Sequence, residues 1–155
     1  MNQKVLWLWP SKAQKNNMEK LYNIFSQFKS NDDKWKYLLD LSRQSLPIDP
    51  ELKREQFLVP GCSTSMYFVP RFENNRLYFD VDLAYRQIPS ISLGLAMVIS
   101  NVYSGKKPSE IMKMNPEFFK DIGLTTSLTP TRANGFASMI DLVYRYAGYF
   151  KSLEV

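Results

Sequence analysis

The sequence predicts an α+β fold, a small antiparallel β-sheet of about three strands packed against helices from both ends of the chain. Three observations carry this. Apolar residues recur at helical spacing before residue 45. They then change to strand-like runs and strict alternation between residues 57 and 82. From Pro89 onward they return to the helical period.

The first helical stripe is Leu21, Ile24, Phe25 and Phe28. Ser30-Asn31-Asp32-Asp33 interrupts it and offers a cap for a second helix, with a core face of Trp35, Leu38, Leu39 and Ser42. That helix must end before Pro47, because the residue preceding a proline is pushed out of the α region. Leu46 to Arg54 is then a loop holding Pro47 and Pro50. Phe57–Val59 reads as a short strand and Met66–Phe72 as a longer one, with Pro70 marking an edge or bulge. After the turn Glu73-Asn74-Asn75, Arg76–Asp82 alternates. Leu77, Phe79 and Val81 lie on one face, and Tyr78, Asp80 and Asp82 on the other, partly wet one.

Nothing from Ile91 to Ile99 is charged, so the helix there is expected to be central and buried, stopped by Gly105. Pro108 and Pro116 each suit the first turn of a short helix, with Asn115 as a cap for the second. Ser127 or Thr129 is expected to cap a last helix starting near Pro130, with Phe136, Met139, Ile140, Val143, Tyr144 and Ala147 facing the core.

At 155 residues the chain reads as one domain, residues 1–155, with residues 1–16 an N-terminal extension. Within it Val5–Trp9 is an apolar pentapeptide, open to use as an extra strand, a core-covering arm or a partner contact. It is too short for a secretory signal, and no run approaches the roughly 20 apolar residues of a membrane span. A cytoplasmic protein without a membrane partner is therefore expected. The net charge is +5, but the lysines are scattered and no basic run occurs, so no nucleic acid partner is expected. One cysteine excludes an internal disulfide and multi-cysteine metal sites within one chain. The absence of histidine removes the Cys–His pair of papain-like enzymes and disfavours a hydrolytic or peroxide-reducing cysteine.

The lone cysteine nevertheless has a telling position. It stands in Val59-Pro60-Gly61-Cys62-Ser63-Thr64-Ser65-Met66-Tyr67, between two strand-like runs. Pro60-Gly61 is a turn signal, Gly61 permits unusual φ angles and close backbone approach, and the polar residues after Cys62 suit an accessible loop tip. The opposing reading is that a lone cysteine is a small buried hydrophobe.

Several segments resemble the SufE family of sulfur-acceptor proteins. Val59, Gly61 and Cys62 match its V-x-G-C pattern, although Ser63, Thr64 and Ser65 replace its glutamine-rich run. Lys34 to Leu41 resembles the family's first conserved helix. Gly94-Leu95 and Tyr103 to Ile111 resemble its long helix and the turn after it. Leu124 to Gly135 is similar to its L-x-x-x-L-S/T-P-S/T-R-x-x-G segment. The family's D-S-D-A motif is absent; Arg86-Gln87-Ile88-Pro89 stands there instead.

The resemblance implies a carrier that takes persulfide sulfur from a cysteine desulfurase onto Cys62, stimulates that enzyme, and passes the sulfur to an iron–sulfur cluster scaffold. No cofactor is implied in this chain; pyridoxal phosphate belongs to the desulfurase. The resemblance places Arg132 near the cysteine loop as a thiolate or loop partner. Gly61, Ser63, Thr64 and Arg86 are the expected partner contacts, with Arg86 making the rim more positive than in relatives. A monomer or weak homodimer is expected. The altered cysteine flank and the missing acidic motif motivate an alternative, a SufE-like module that docks on a desulfurase or another partner without carrying sulfur.

Overall fold

The computed structural model describes residues 12–155. The expectations for Val5–Trp9 lie outside the described residues. So does the proposed extension as far as residue 11; from Lys12 onward the chain is already helical. The elements in chain order are α1 (Lys12–Ser26), α2 (Asn31–Arg43), two short 3-10 turns at Pro50–Leu52 and Glu55–Phe57, β1 (Met66–Glu73), β2 (Arg76–Leu83), α3 (Ile91–Tyr103), α4 (Pro108–Met112), α5 (Phe118–Asp121) and α6 (Pro130–Lys151). This is the expected α+β arrangement.

The sheet is smaller than the sequence suggested. β1 and β2 form an antiparallel hairpin with Met66 opposite Leu83 and Glu73 opposite Arg76, closed by Asn74 and Asn75 at positive φ. Asparagine tolerates that conformation in tight turns. The third strand is reduced to one bridge between Leu58 and Tyr67, where the Val59 N–H donates to the Met66 carbonyl at 2.9 Å. Phe57 is taken up in a 3-10 turn, and Pro60 has no N–H with which to continue a ladder.

α3 is the central element. It packs against α2, β2 and α6, and Leu93, Leu95, Ala96, Val98, Ile99 and Val102 are all buried. Ser90 caps it by accepting from the Leu93 N–H at 3.1 Å. Its meeting with α2 depends on Gly94, where a Cβ would stand 2.3 Å from the Leu38 carbonyl oxygen. The buried line of α2 runs Lys34, Leu38, Ser42: Leu38 and Ser42 are buried as expected, Trp35 and Leu39 are half-buried, and Lys34 joins the line unexpectedly. The reason is polar: Lys34 Nζ donates to the Gly123 carbonyl at 2.6 Å and to Ser127 Oγ at 2.5 Å, and Ser42 Oγ accepts from the Ser90 N–H at 2.9 Å. Buried polar groups with partners are tolerated, so hydropathy alone misses Lys34.

The C-terminal half follows the sequence more closely. Thr129 caps α6, whose buried face is Gly135, Phe136, Met139, Val143 and Ala147. α5 begins two residues later than expected because Asn115 first closes a turn onto the Glu117 N–H at 3.0 Å. Lys106, directly after Gly105, is 2% exposed and donates from Nζ to the Val102 carbonyl at the end of α3. Burial pushes its pKa down to about 8.

Two outcomes are expected from this packing. Gly94→Ala should cost about 3 kcal/mol in thermal or urea unfolding, because α2 and α3 must separate. Gly148→Ala on α6, where an added Cβ meets nothing within 4 Å, should gain about 0.5–1 kcal/mol. For Lys106 the folded state binds the proton less tightly than the unfolded state does. Its contribution is therefore flat below pH 8 and rises with pH between about 8 and 10.5. The unfolding free energy of the wild type should gain about 1–2 kcal/mol on Lys106→Met between pH 8 and 9.5. A constant difference across that range would show that the amine is not desolvated.

Candidate functional site: the Cys62 cleft

The Cys62 loop is bounded at both ends by backbone bonds. Val59 is tied to Met66, and the Ala84 N–H donates to the Ser65 carbonyl at 2.8 Å. Gly61 turns the chain with φ +69°, a left-handed conformation that glycine adopts without strain. The turn does not present the thiol as a free tip. Ser63 and Ser65 face solvent while Cys62 is half-buried, its sulfur turned toward α6. A Cβ on Gly135 would lie 3.3 Å from Sγ, so Gly135 makes room for the sulfur on the helix surface.

Cys62, Ser63, Ser92, Leu95, Thr131, Arg132, Gly135, Phe136 and Met139 enclose a small cleft of about 10 Å³, the space of about one water molecule. Cys62, Ser63 and Arg132 were singled out in the sequence. Ser92 and Leu95 from α3, and Phe136 and Met139 from α6, were not, because their apolar or small side chains read as core at helical spacing. Gly135 stood in the quoted Thr-Pro-Thr-Arg-x-x-Gly segment; its spacing from Arg132, one helical turn, was the available signal.

Burial pushes the Cys62 thiol above its usual pKa, partly offset by a hydrogen bond from the Thr64 backbone N–H. Arg132 lines the same cleft, yet it is not among the groups that shift the thiol. Its backbone N–H is held by Thr129 Oγ1 at 3.4 Å, and no ion pair to its guanidinium occurs among the described residues. The site thus sets a partly desolvated thiol beside a guanidinium that has no ion pair among the described residues.

Arg86 is placed differently. It does not line the cleft. Its Nη1 donates to Asp82 Oδ1 at 2.7 Å, and its Nη2 donates to the Ser45 carbonyl at 3.2 Å and to Ser45 Oγ at 3.1 Å. Asp82 is fully buried, although the strand alternation had put it on the wetter face. Its Oδ1 also accepts from the Leu83 N–H at 2.8 Å. Its Oδ2 accepts from the Ile48 N–H at 3.2 Å and faces Lys53 Nζ at 3.3 Å. Arg86 therefore meets its counter-charge inside the chain rather than standing as a free positive rim. Among the described residues no group of three or more metal-ligating side chains occurs, and no helix is long and apolar enough to cross a membrane.

Because Cys62 is partly desolvated with no cation lowering its pKa, its alkylation by iodoacetamide in the isolated protein should still be climbing at pH 9, where an ordinary exposed thiol is levelling off. A plateau below pH 8 would contradict the geometry.

The SufE family, described as an Fe-S metabolism associated domain, matches residues 19–147. An uncharacterized SufE-like protein of Synechocystis sp. (strain PCC 6803) is 26% identical over 135 residues, covering 87% of this chain and 82% of that protein. SufE-like protein 1, chloroplastic/mitochondrial, of Arabidopsis thaliana is 24% identical over 131 residues, covering 84% of this chain. The chain spans 34% of that plant relative's length. Among solved structures, a hypothetical protein from Thermus thermophilus shares the fold, with a TM-score of 0.68 at 16% identity over 86% of this chain and 94% of that one. With the family match running from α1 to the end of the buried face of α6, across the Cys62 cleft, the chain belongs to the SufE family.

Proposed function

We propose that the protein is a persulfide carrier that accepts sulfur on Cys62 from a cysteine desulfurase, stimulates that enzyme, and passes the sulfur to an iron–sulfur cluster scaffold. The observation that supports this best is the Cys62 sulfur seated over Gly135, beside a cleft with room for about one further atom and lined by Arg132. In the transfer, the Cys62 thiolate attacks the terminal sulfur of the donor's persulfide. The donor's S–S bond breaks, a new S–S bond forms on Cys62, and the donor leaves as a thiolate. One S–S bond is exchanged for another, so the step is redox-neutral, and the proton that Cys62 gives up is matched by the one that the donor thiolate takes.

The terminal sulfur then stands about 2 Å beyond Sγ. A persulfide carries its charge at lower pH than a thiol does, and Arg132, which lines the same cleft, is the cation within the site to which that charge would turn. Apolar Leu95, Phe136 and Met139 on the inner side disfavour entry of water-borne reductants. Pyridoxal phosphate belongs to the donor enzyme in this reading.

One feature favours the second reading, a docking module without sulfur transfer: Cys62 is half-buried, and its burial disfavours the thiolate that sulfur transfer needs. The two readings part in one experiment. The protein is incubated with a cysteine desulfurase and free cysteine, and persulfide on Cys62 is measured by mass spectrometry alongside sulfide release. Cys62→Ser should keep the fold, carry no persulfide and lose the stimulation. Arg132→Ala should slow loading about tenfold while stability changes by less than about 1 kcal/mol, its side chain being half-exposed. Full stimulation by Cys62→Ser would establish the docking module instead.

A further inference from the structure

The Cys62 cleft is layered by polarity. Leu95, Phe136 and Met139 line it and are buried. One helical turn before them stand polar residues that line the same cleft: Ser92 precedes Leu95 on α3, and Arg132 precedes Phe136 on α6. Arg132 is the one charged side chain among the residues that enclose the cleft.

The Ser92 hydroxyl is half-buried and has no hydrogen-bond partner among the described residues, the Cys62 sulfur included. The serines around it on the same helix are bonded. Ser90 Oγ accepts from the Leu93 N–H at 3.1 Å, and Ser100 Oγ donates to the Phe79 carbonyl. A hydroxyl drawn out of water without a partner destabilises the fold, so an unpaired one beside a cleft marks a donor held for another group. The Cys62 thiol already takes a hydrogen bond from the Thr64 N–H. A second sulfur on Cys62 would stand about 2 Å beyond the first. The cleft that Cys62 and Ser92 both line, about 10 Å³, has room for about one such atom.

We propose that the Ser92 hydroxyl donates a hydrogen bond to the terminal sulfur of a persulfide on Cys62 and holds that sulfur in the cleft as an anion. The inference rests on the carrier reading above and adds to it a residue that recognises the loaded state. The Arg132 guanidinium attracts any anion in the cleft, whereas a hydroxyl acts only on an atom within hydrogen-bond reach. Ser92 thereby separates the loaded cysteine from the empty one. A hydrogen bond to the charged form lowers the pH at which a persulfide ionises. An ionised terminal sulfur is in turn a poorer target for the thiolates of reductants, which carry the same charge.

The test loads the full chain with glutathione persulfide. The Cys62 thiolate takes the terminal sulfur, glutathione leaves as its thiolate, and mass spectrometry reads the persulfide formed. The loaded protein is then alkylated with iodoacetamide over a range of pH. Ser92→Thr and Ser92→Val place side chains of one shape in the cleft and differ only in the hydroxyl. The midpoint of persulfide alkylation should lie about half to one pH unit higher in Ser92→Val than in Ser92→Thr. The persulfide of Ser92→Val should also be lost to glutathione about threefold faster, the factor that half a pH unit makes in the un-ionised fraction. Alkylation of the empty thiol should follow one pH profile in both variants. Equal persulfide midpoints would overturn the inference. So would an equal shift in the empty thiol's profile, which would mark a disturbed loop rather than a bond to the second sulfur. A wild type that glutathione persulfide cannot load would also overturn it, since the cleft would then admit no second sulfur. Failure of a cysteine desulfurase to load Cys62 would instead remove the carrier reading, while the chemically loaded protein still decides the role of Ser92.

Discussion

A carboxylate with no exposure to water is unstable unless it is paired and hydrogen-bonded, and Asp82 meets this condition with three hydrogen-bond donors and the Lys53 ammonium as a further ion-pair partner, from three segments of chain. Lys53 and the Ile48 N–H come from the loop after α2, the Leu83 N–H from the end of β2, and Arg86 from the loop before α3. The hairpin, the proline-rich loop and the approach to the central helix are therefore fixed relative to one another by a single side chain. Removing it would leave two cations and two backbone donors facing each other in a dry site. The cysteine loop is attached to the same corner through Ala84 and Ser65, so the position of the thiol inherits this arrangement.

The second constraint is steric. Gly94 lets α2 and α3 approach until backbone meets backbone, and Gly135 lets the Cys62 sulfur rest on α6. Both helices of the cleft wall, α3 and α6, are thereby brought to one side of the cysteine loop. The thiol is consequently half-sheltered, its pKa pushed up by burial, with Arg132 lining the same cleft. A carrier that must hold a reactive sulfur without losing it to water-borne thiols has use for both properties.

How much of this was legible before folding depends on the kind of interaction. The elements were legible because apolar period and punctuation are local: the stripe of α6, the caps at Ser30 and Thr129, and the alternation of β2 all stand in the sequence. The short strand at Phe57–Val59 was overread. Three apolar residues fit a strand, but Pro60 and the 3-10 turn leave only one bridge. On α2, Leu38 and Ser42 were legible, whereas Lys34 was missed because it is buried through a hydrogen bond to a residue 89 positions away, which hydropathy does not register. Cys62 and Arg132 were legible from motif and turn chemistry, whereas Ser92, Leu95, Phe136 and Met139 looked like any helix core.

The sequence by itself determined the α+β class, the order of helices and strands, the family, and the one thiol of the chain, since each of these follows from local spacing or from residue type. Tertiary structure decided the environment of that residue: which helix its sulfur rests on, that burial raises rather than lowers its pKa, and that Arg132 rather than Arg86 shares its cleft. It also decided that Arg86 is a clamp. A charge four residues from an aspartate looks like a free rim group or a surface pair until the fold buries the aspartate and brings Ser45, 41 residues away, to the other side of the guanidinium. Desolvation and long-range partnership are properties of the folded packing, and no local pattern encodes them.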